Sequence, residues 1–240
     1  MSMDGKETAE NSAHKALMVF ALTPNYNKWI FGAFREYLEG RTVLEVGCGI
    51  GNLSGYFASV SSRFLALDTS ETFIGHMKLD QPRAEVLHLS ITDDRAAELA
   101  SEGIEAVVSA NVLEHVPDDE KALSNIFRIL KPGGRLLLFV PALRAIYGTL
   151  DEAVSHCRRY DRSELRAKAE RAGFEVEKLY FTNFPGVFGW YLNGKILKSR
   201  NFPMLQPLLF DKLVPLIAAL EKVFPPFFGM NLVLVAKKGD

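Results

Sequence analysis

Residues 43–54 read VLEVGCGIGNLS, and this stretch decides the fold. Val43 to Val46 is apolar apart from Glu45 and reads as a short buried strand. Gly47, Gly49 and Gly51 follow at every second position, and Asn52 to Ser59 can then begin a helix. A strand that passes through a glycine turn into a helix is the opening unit of a nucleotide-binding α/β fold. Glycine suits such a turn because it takes positive φ and lets a ligand approach the backbone. The spacing narrows the choice of nucleotide. A dinucleotide turn is G-x-G-x-x-G and seats a pyrophosphate on a helix N-terminus. Here position 52 is asparagine and the pattern is G-x-G-x-G, with Glu45 two residues ahead of it.

That pattern resembles the first motif, (D/E)-x-G-x-G-x-G, of the class I S-adenosylmethionine (SAM) dependent methyltransferases. The resemblance implies a Rossmann-like α/β fold: a seven-stranded, mostly parallel sheet with an antiparallel last strand and helices on both faces. It implies SAM as cofactor, lined here by Glu45, Gly47, Cys48, Gly49 and Gly51. SAM carries no phosphate, so the loop serves close packing more than anion capture. Two rivals stand beside this reading: a dinucleotide-binding oxidoreductase, and a protein that binds SAM without catalysis.

Phe64 to Leu67 reads as the second strand and ends in Asp68, followed by Thr69. An acidic residue there, about 20 residues past the glycines, suits a ribose, because one carboxylate offers two oxygens to a vicinal diol. Ser70 is expected to cap a helix running through Met77. Val86 to Leu89 is the third strand. The family commonly places an aspartate after it for the adenine amine, whereas this chain has Ser90, with the Ile91 amide beside it. Asp93 fills the same role if the register is shifted. Glu105 to Ser109 is the fourth strand, and ANVLEHV after it resembles the family's second region. By that resemblance Asn111 and Val112 lie beside the methionine part of SAM, and Leu113 and His115 lie near the transferred methyl. His115 is then a candidate base, or else a structural histidine at the start of the next helix. That helix is expected from Asp118 and Asp119 to Leu130. LKPGGRLLLFVPA (130–142) stops it and gives the fifth strand, Arg135 to Val140. This string resembles the family's third signature.

The acceptor side is expected after the fifth strand. Tyr147, Asp151, His156, Arg158, Arg159 and Tyr160 crowd into PALRAIYGTLDEAVSHCRRYD (141–161), and H-x-R-R-Y resembles a subset of these methyltransferases. The arginine fork matches carboxylate or phosphate, and His156 can take a proton near neutral pH. Tyr147, Arg158, Arg159 and Tyr160 are therefore candidate substrate contacts, and His115 and His156 candidate catalytic residues. The competing arrangement is an Asp151–arginine pair that merely pins the loop. Ser163 is expected to cap a helix to Ala172, ended by Gly173. Phe174 to Phe181 is strand six and Leu232 to Lys237 strand seven. Between them lie about 50 residues (182–230), far beyond the usual connection of about 2–6. This insertion is rich in aromatics, and helices are expected over Gly186 to Leu197 and Leu208 to Val223, with a break at Pro215. Such a surface must pack on the body, form a homodimer, wall an apolar acceptor pocket or rest on a membrane, and the acceptor expected is a small molecule or a lipid- or sugar-linked one.

The remaining features set bounds. The 240 residues suffice for one domain, 48% hydrophobic and 24% charged, with a net charge of -1 that does not suggest a nucleic-acid partner. Residues 1–12 are polar, expected to be disordered, and carry no signal-peptide pattern. Asn25 to Leu38 has helical periodicity and is expected to face the core, or to cover the cofactor with Tyr26. Two cysteines make no disulfide framework, so both are expected to be free thiols in the cytoplasm. The five histidines show no metal-ligand spacing along the chain, and no metal is expected.

Overall fold

Successive residues of the central strands point to opposite sides of a sheet, and here both sides are apolar. In the fifth strand Leu136, Leu138 and Val140 enter one core and Leu137 and Phe139 the other. A sheet of this kind needs a helical layer on each face. The computed structural model describes residues 14–80, 84–200 and 204–239, so the expected disordered stretch 1–12 lies outside the described residues. The strands are β1 (Thr42–Val46), β2 (Arg63–Asp68), β3 (Glu85–His88), β4 (Ala106–Ala110), β5 (Arg135–Pro141), β6 (Phe174–Thr182) and β7 (Asn231–Lys238). Their order is β3-β2-β1-β4-β5-β7-β6. The β1–β5 pairings are parallel, and β7 runs antiparallel to both β5 and β6. The order reverses between β1 and β4, so the ligand crevice of such a sheet lies at their C-terminal ends.

The helices are α1 (residues 14–21), α2 (Pro24–Leu38), α3 (Ser54–Val60), α4 (Glu71–Asp80), α5 (Asp119–Ile129), α6 (Thr149–Ala153), α7 (Arg162–Arg171), α8 (Phe184–Tyr191) and α9 (Leu205–Val223). The capping expected at Ser70 is present: its hydroxyl accepts from Phe73 N at 3.3 Å. Asp118 caps α5 by accepting from Lys121 N. Ser163 does not cap α7. Asp161 holds that position, and its carboxylate accepts instead from the Arg144 amide at 3.4 Å. A 3-10 helix over Asp94–Glu102, capped by Asp93, carries no strong sequence signal.

The insertion forms α8, which runs into a π-turn over Leu192–Ile196, and α9. Pro215 does not break α9. Proline lacks the N–H that would bond the carbonyl four residues back, at Asp211. That carbonyl accepts instead from the Asn25 side-chain amide, 3.2 Å away on α2. The Asp211 carboxylate also accepts from Tyr26 N, at 2.8 Å. The proline's cost is thus absorbed by the α2–α9 contact. Tyr26 itself is a core residue, edge-on to Phe139 and Trp29. Its hydroxyl points toward Asn231 at 3.5 Å.

Candidate active site

The glycine turn folds back on β2. Gly47 N and Cys48 N both donate to Leu67 O, at 2.8 and 3.1 Å. Gly47 has φ +78°, and a Cβ there would lie 2.4 Å from Val112 Cγ2. Only glycine lets the turn after β1 press against the turn after β4. The Asp68 carboxylate is fixed on both oxygens, by Gly49 N (2.8 Å) and Ser70 N (2.9 Å). It stays half-buried. A carboxylate has about four acceptor sites, so two remain for a diol. Asn111 takes φ +54° at the end of β4, a region asparagine tolerates better than most residues. Leu143 and Ser155 also have positive φ, so the loops of this sheet edge hold more strained backbone than an ordinary surface.

Other candidates lie deeper. Glu45 is buried and its carboxyl accepts from the Ser54 hydroxyl. Burial, with some repulsion from Asp68, pushes it up to about 8 despite that bond. Its contact is with the start of α3. Cys48 is also buried, and burial pushes its thiol up. At β3 the Ser90 hydroxyl pairs with the Thr92 hydroxyl at 2.8 Å, and Ile91 is buried. Asp93 is turned to Arg95 at 2.8 Å, which leaves Ser90 as the polar side chain at the strand end. Thr69 is exposed. One neighbour of the turn was not foreseen: Leu17 of α1 rests on Gly49, and its carbonyl accepts from Asn52 Nδ2 at 2.8 Å. α1 thus packs directly on the glycine turn.

The second half of the site grows from the loop after β5. Asp151 is fully buried and accepts from four donors: Gly148 N (2.9 Å), His156 Nδ1 (2.8 Å), Arg159 Nε (2.7 Å) and Trp190 Nε1 (3.0 Å). Burial opposes its ionisation, but these bonds and the Arg159 charge hold it below the usual carboxylate range. The Arg159 guanidinium also stacks over the Trp190 ring at 4.8 Å. Arg159 and Tyr160 are interior, and Tyr160 donates to Asp119 Oδ2 at 2.8 Å. Arg158 pairs with the same Asp119 and donates to Pro117 O. Asp119 also takes Lys168 at 2.6 Å. These contacts set the expected arginine and tyrosine side chains to holding the loop. Tyr147 donates to His156 O at 2.8 Å and remains half-buried at the edge.

The two halves meet at a pair of rings. His115, in the 3-10 turn after β4, lies 4.8 Å from His156, edge to face. Burial and the neighbouring His156 lower His115 to about 4. Burial likewise lowers His156, although Asp151 opposes the shift. Both shifts favour the neutral ring. Glu114, beside His115, is fully buried, and burial pushes it up to about 8. The chain sequence separates Glu114, His156 and Trp190 widely, and only the fold unites them.

Comparison with known proteins agrees with this geometry. A family model described as a methyltransferase domain matches residues 44–138. A Pseudomonas putida ubiquinone biosynthesis O-methyltransferase is 30% identical over 60% of this chain and 69% of its own length. The chain belongs to the SAM-dependent methyltransferases. A further relative of this methyltransferase comes from Mycolicibacterium smegmatis and is named a probable S-adenosylmethionine-dependent methyltransferase. It is 34% identical over 58% of this chain. The chain spans about half (53%) of that relative's length. A SAM-dependent methyltransferase structure from Mesorhizobium loti superposes with a TM-score of 0.57 over 84% of this chain and 93% of that one. At 14% identity it speaks to the fold alone. SAM is the cofactor of the family, and the residues present fit it: a partly open carboxylate for a diol, a cradle that admits only glycine, and a strand end bearing Ser90.

Proposed function

We propose that this methyltransferase moves the SAM methyl group to an oxygen atom, nitrogen or carbon being the alternatives, of a small acceptor held over β4 and β5. The contact between His115 and His156 carries the reading, because it joins the cofactor-side turn to the polar loop after β5. SAM supplies an electrophilic methyl on a positive sulfur that leaves neutral. Asp68 and Ser90 would hold the ribose and adenine ends, with Asn111 and Val112 beside the methionine end. The protein's main task is alignment of donor and acceptor at about 3–3.5 Å, which supplies about 7–11 kcal/mol. His156 is suited to accept a hydroxyl proton: Asp151 fixes its Nδ1–H and leaves Nε2 basic. Tyr147 and Trp190 hold that ring from its backbone and its face. The relative's role in ubiquinone biosynthesis favours oxygen and an acceptor with an apolar body.

Calorimetric titration with SAM, its demethylated product and NAD tests the cofactor half. The first two are expected to bind and NAD not to, with Asp68→Ala weakening SAM by about a hundredfold or more. Binding of NAD alone would sink the reading, and SAM binding without turnover on any acceptor would favour the non-catalytic one. His156→Ala is expected to lower turnover of a hydroxyl acceptor by about 10². If neither His156→Ala nor His115→Ala costs tenfold, the base role is lost.

We also infer that the insertion rests on a membrane surface. Leu205, Leu209, Leu213, Leu216, Leu220 and Phe224 are exposed along α9, and Phe227 beyond it is 97% exposed. Both acidic residues of α9 turn inward: Asp211 binds α2, and Glu221 accepts from Thr182, Asn183 and Phe184. The outer surface keeps Lys212 and Lys222, flanked by Lys195, Lys198 and Arg200. An apolar face with only basic charge suits anionic lipid. No helix among the described residues is long and apolar enough to cross a membrane, so contact would be peripheral. Flotation with anionic vesicles should carry the protein, and Phe224→Asp with Phe227→Asp should abolish it. Dimerisation that hides this face and excludes vesicles would point to self-association instead.

A further inference from the structure

We propose that Glu114, His115 and His156 form a binding site for one divalent transition-metal ion of the zinc, cobalt or manganese class. One nitrogen of each ring and a carboxylate oxygen lie within 4.8 Å of one another. Two histidines and one carboxylate are a recurrent donor set for such ions, leaving open positions for solvent or substrate. Bonds of about 2.0–2.2 Å would place the donors about 3–4 Å apart, so small side-chain rotations close the site.

Three observations support a cation. First, both Glu114 carboxylate oxygens are buried and have no hydrogen-bond partner. Buried carboxyl groups are normally hydrogen-bonded, and two partnerless oxygens leave a place for an ion. His156 Nε2 is 3.7 Å from Glu114 Oε1, too far for a hydrogen bond. Arg159 pairs with Asp151 at 2.7 Å, and its charge acts on Glu114 without a hydrogen bond to it. Second, each histidine is oriented through its other nitrogen. His115 Nδ1 meets the Ser155 carbonyl at 3.2 Å, and His156 Nδ1 meets the Asp151 carboxylate at 2.8 Å. With both Nδ1 atoms donating, both Nε2 atoms carry lone pairs, the outer-shell arrangement of metal-bound histidine. Third, the frame is preformed. Glu114 O accepts from Cys157 N at 2.8 Å, and His156 N donates to Asp151 O at 2.9 Å. The turn after β4 and the loop after β5 are thereby tied together around the three donors. The donors are largely enclosed: the His156 side chain is 9% exposed and that of Glu114 not at all.

The ion's binding stands on these contacts alone. Its use rests on the methyltransferase reading, with His156 Nε2 then a ligand instead of the proton acceptor: an acceptor hydroxyl on an open position would lose its proton to solvent more readily, and an acceptor with two adjacent oxygens would be held in one orientation. The test is titration of tag-free, chelator-treated protein with Co²⁺, followed by visible absorption, and by NMR for the histidine ring protons. One saturable equivalent is expected, displaced by Zn²⁺, with hyperfine shifts on His115 and His156. Glu114→Gln and His156→Asn should each weaken it at least about tenfold, and Asp151→Asn by about 10–100-fold. Absence of a saturable spectrum overturns the proposal. So do shifts confined to His14, His76 or His88, a result read on the unmodified protein that needs no variant to fold. Equal affinity in folded Glu114→Gln also overturns it. SAM calorimetry run separately tells failure of the metal site from failure of the methyltransferase reading.

Discussion

The cofactor half, residues 42–141, and the acceptor half, residues 142–230, sit on one sheet edge but are built by different means. In the first, backbone amides and a glycine fit set the turn and its carboxylate. Asp68 is held by two amides, and Gly47 by its fit against Val112. In the second, side chains hold one another. Asp151 gathers four donors, and Asp119 ties Arg158, Tyr160 and Lys168. The backbone-built half can be copied by any chain with the same turn chemistry. The side-chain-built half depends on particular partners, so its shape and specificity change together.

This contrast can be broken by substitution. The largest effect is expected for Asp151→Asn, which leaves Arg159 buried beside a neutral group. Loss of one partner from a buried pair costs about 3–5 kcal/mol. Thermal unfolding should show that loss while SAM affinity of the folded protein changes little. A parallel loss of SAM binding would show that the halves are not separable. A smaller, pH-dependent effect is expected for Glu45→Gln. The folded carboxyl is raised to about 8, so its favourable contribution is full below the unfolded value and fades as pH rises through the folded one. The glutamine variant should therefore gain stability over the parent between about pH 5 and 8, by up to a few kcal/mol. Equal melting temperatures across that range would mean that Glu45 is solvated. The smallest effect is expected for Tyr26→Phe. Its hydroxyl reaches Asn231 at 3.5 Å and also meets the Asn183 side chain, so about 1 kcal/mol is at stake. SAM affinity should not move, and a tenfold change would return Tyr26 to the crevice.

The same contrast explains what the amino-acid sequence reveals. The seven strands, the glycine turn and the strand-end positions of Asp68 and Asn111 are legible because short continuous apolar runs and local turn residues specify them within a few residues. The 182–230 insertion is legible as helical because so apolar a segment must pack, and it is far too long for a turn. Pro215 misleads, since its missing bond is replaced by Asn25, far away in the chain. Ser163 misleads because its neighbour Asp161 fits the capping position. Arg159 and Tyr160 look like ligand contacts because burial cannot be read from a crowded polar loop. Glu114, Trp190 and Leu17 have no local pattern at all. Their partners, His156, Asp151 and Gly49, are distant in sequence.

The ends of the insertion carry one more consequence. Thr182 and Asn231 are register partners across β6 and β7, and Met230 N donates to Asn183 O at 3.0 Å. The segment leaves and rejoins the sheet at a single clasp, so the strands have already met the entropy of closing it. A segment of another length could leave and rejoin at that stem without shifting the strands, provided it kept the contacts that Trp190 and Asp211 make with the body.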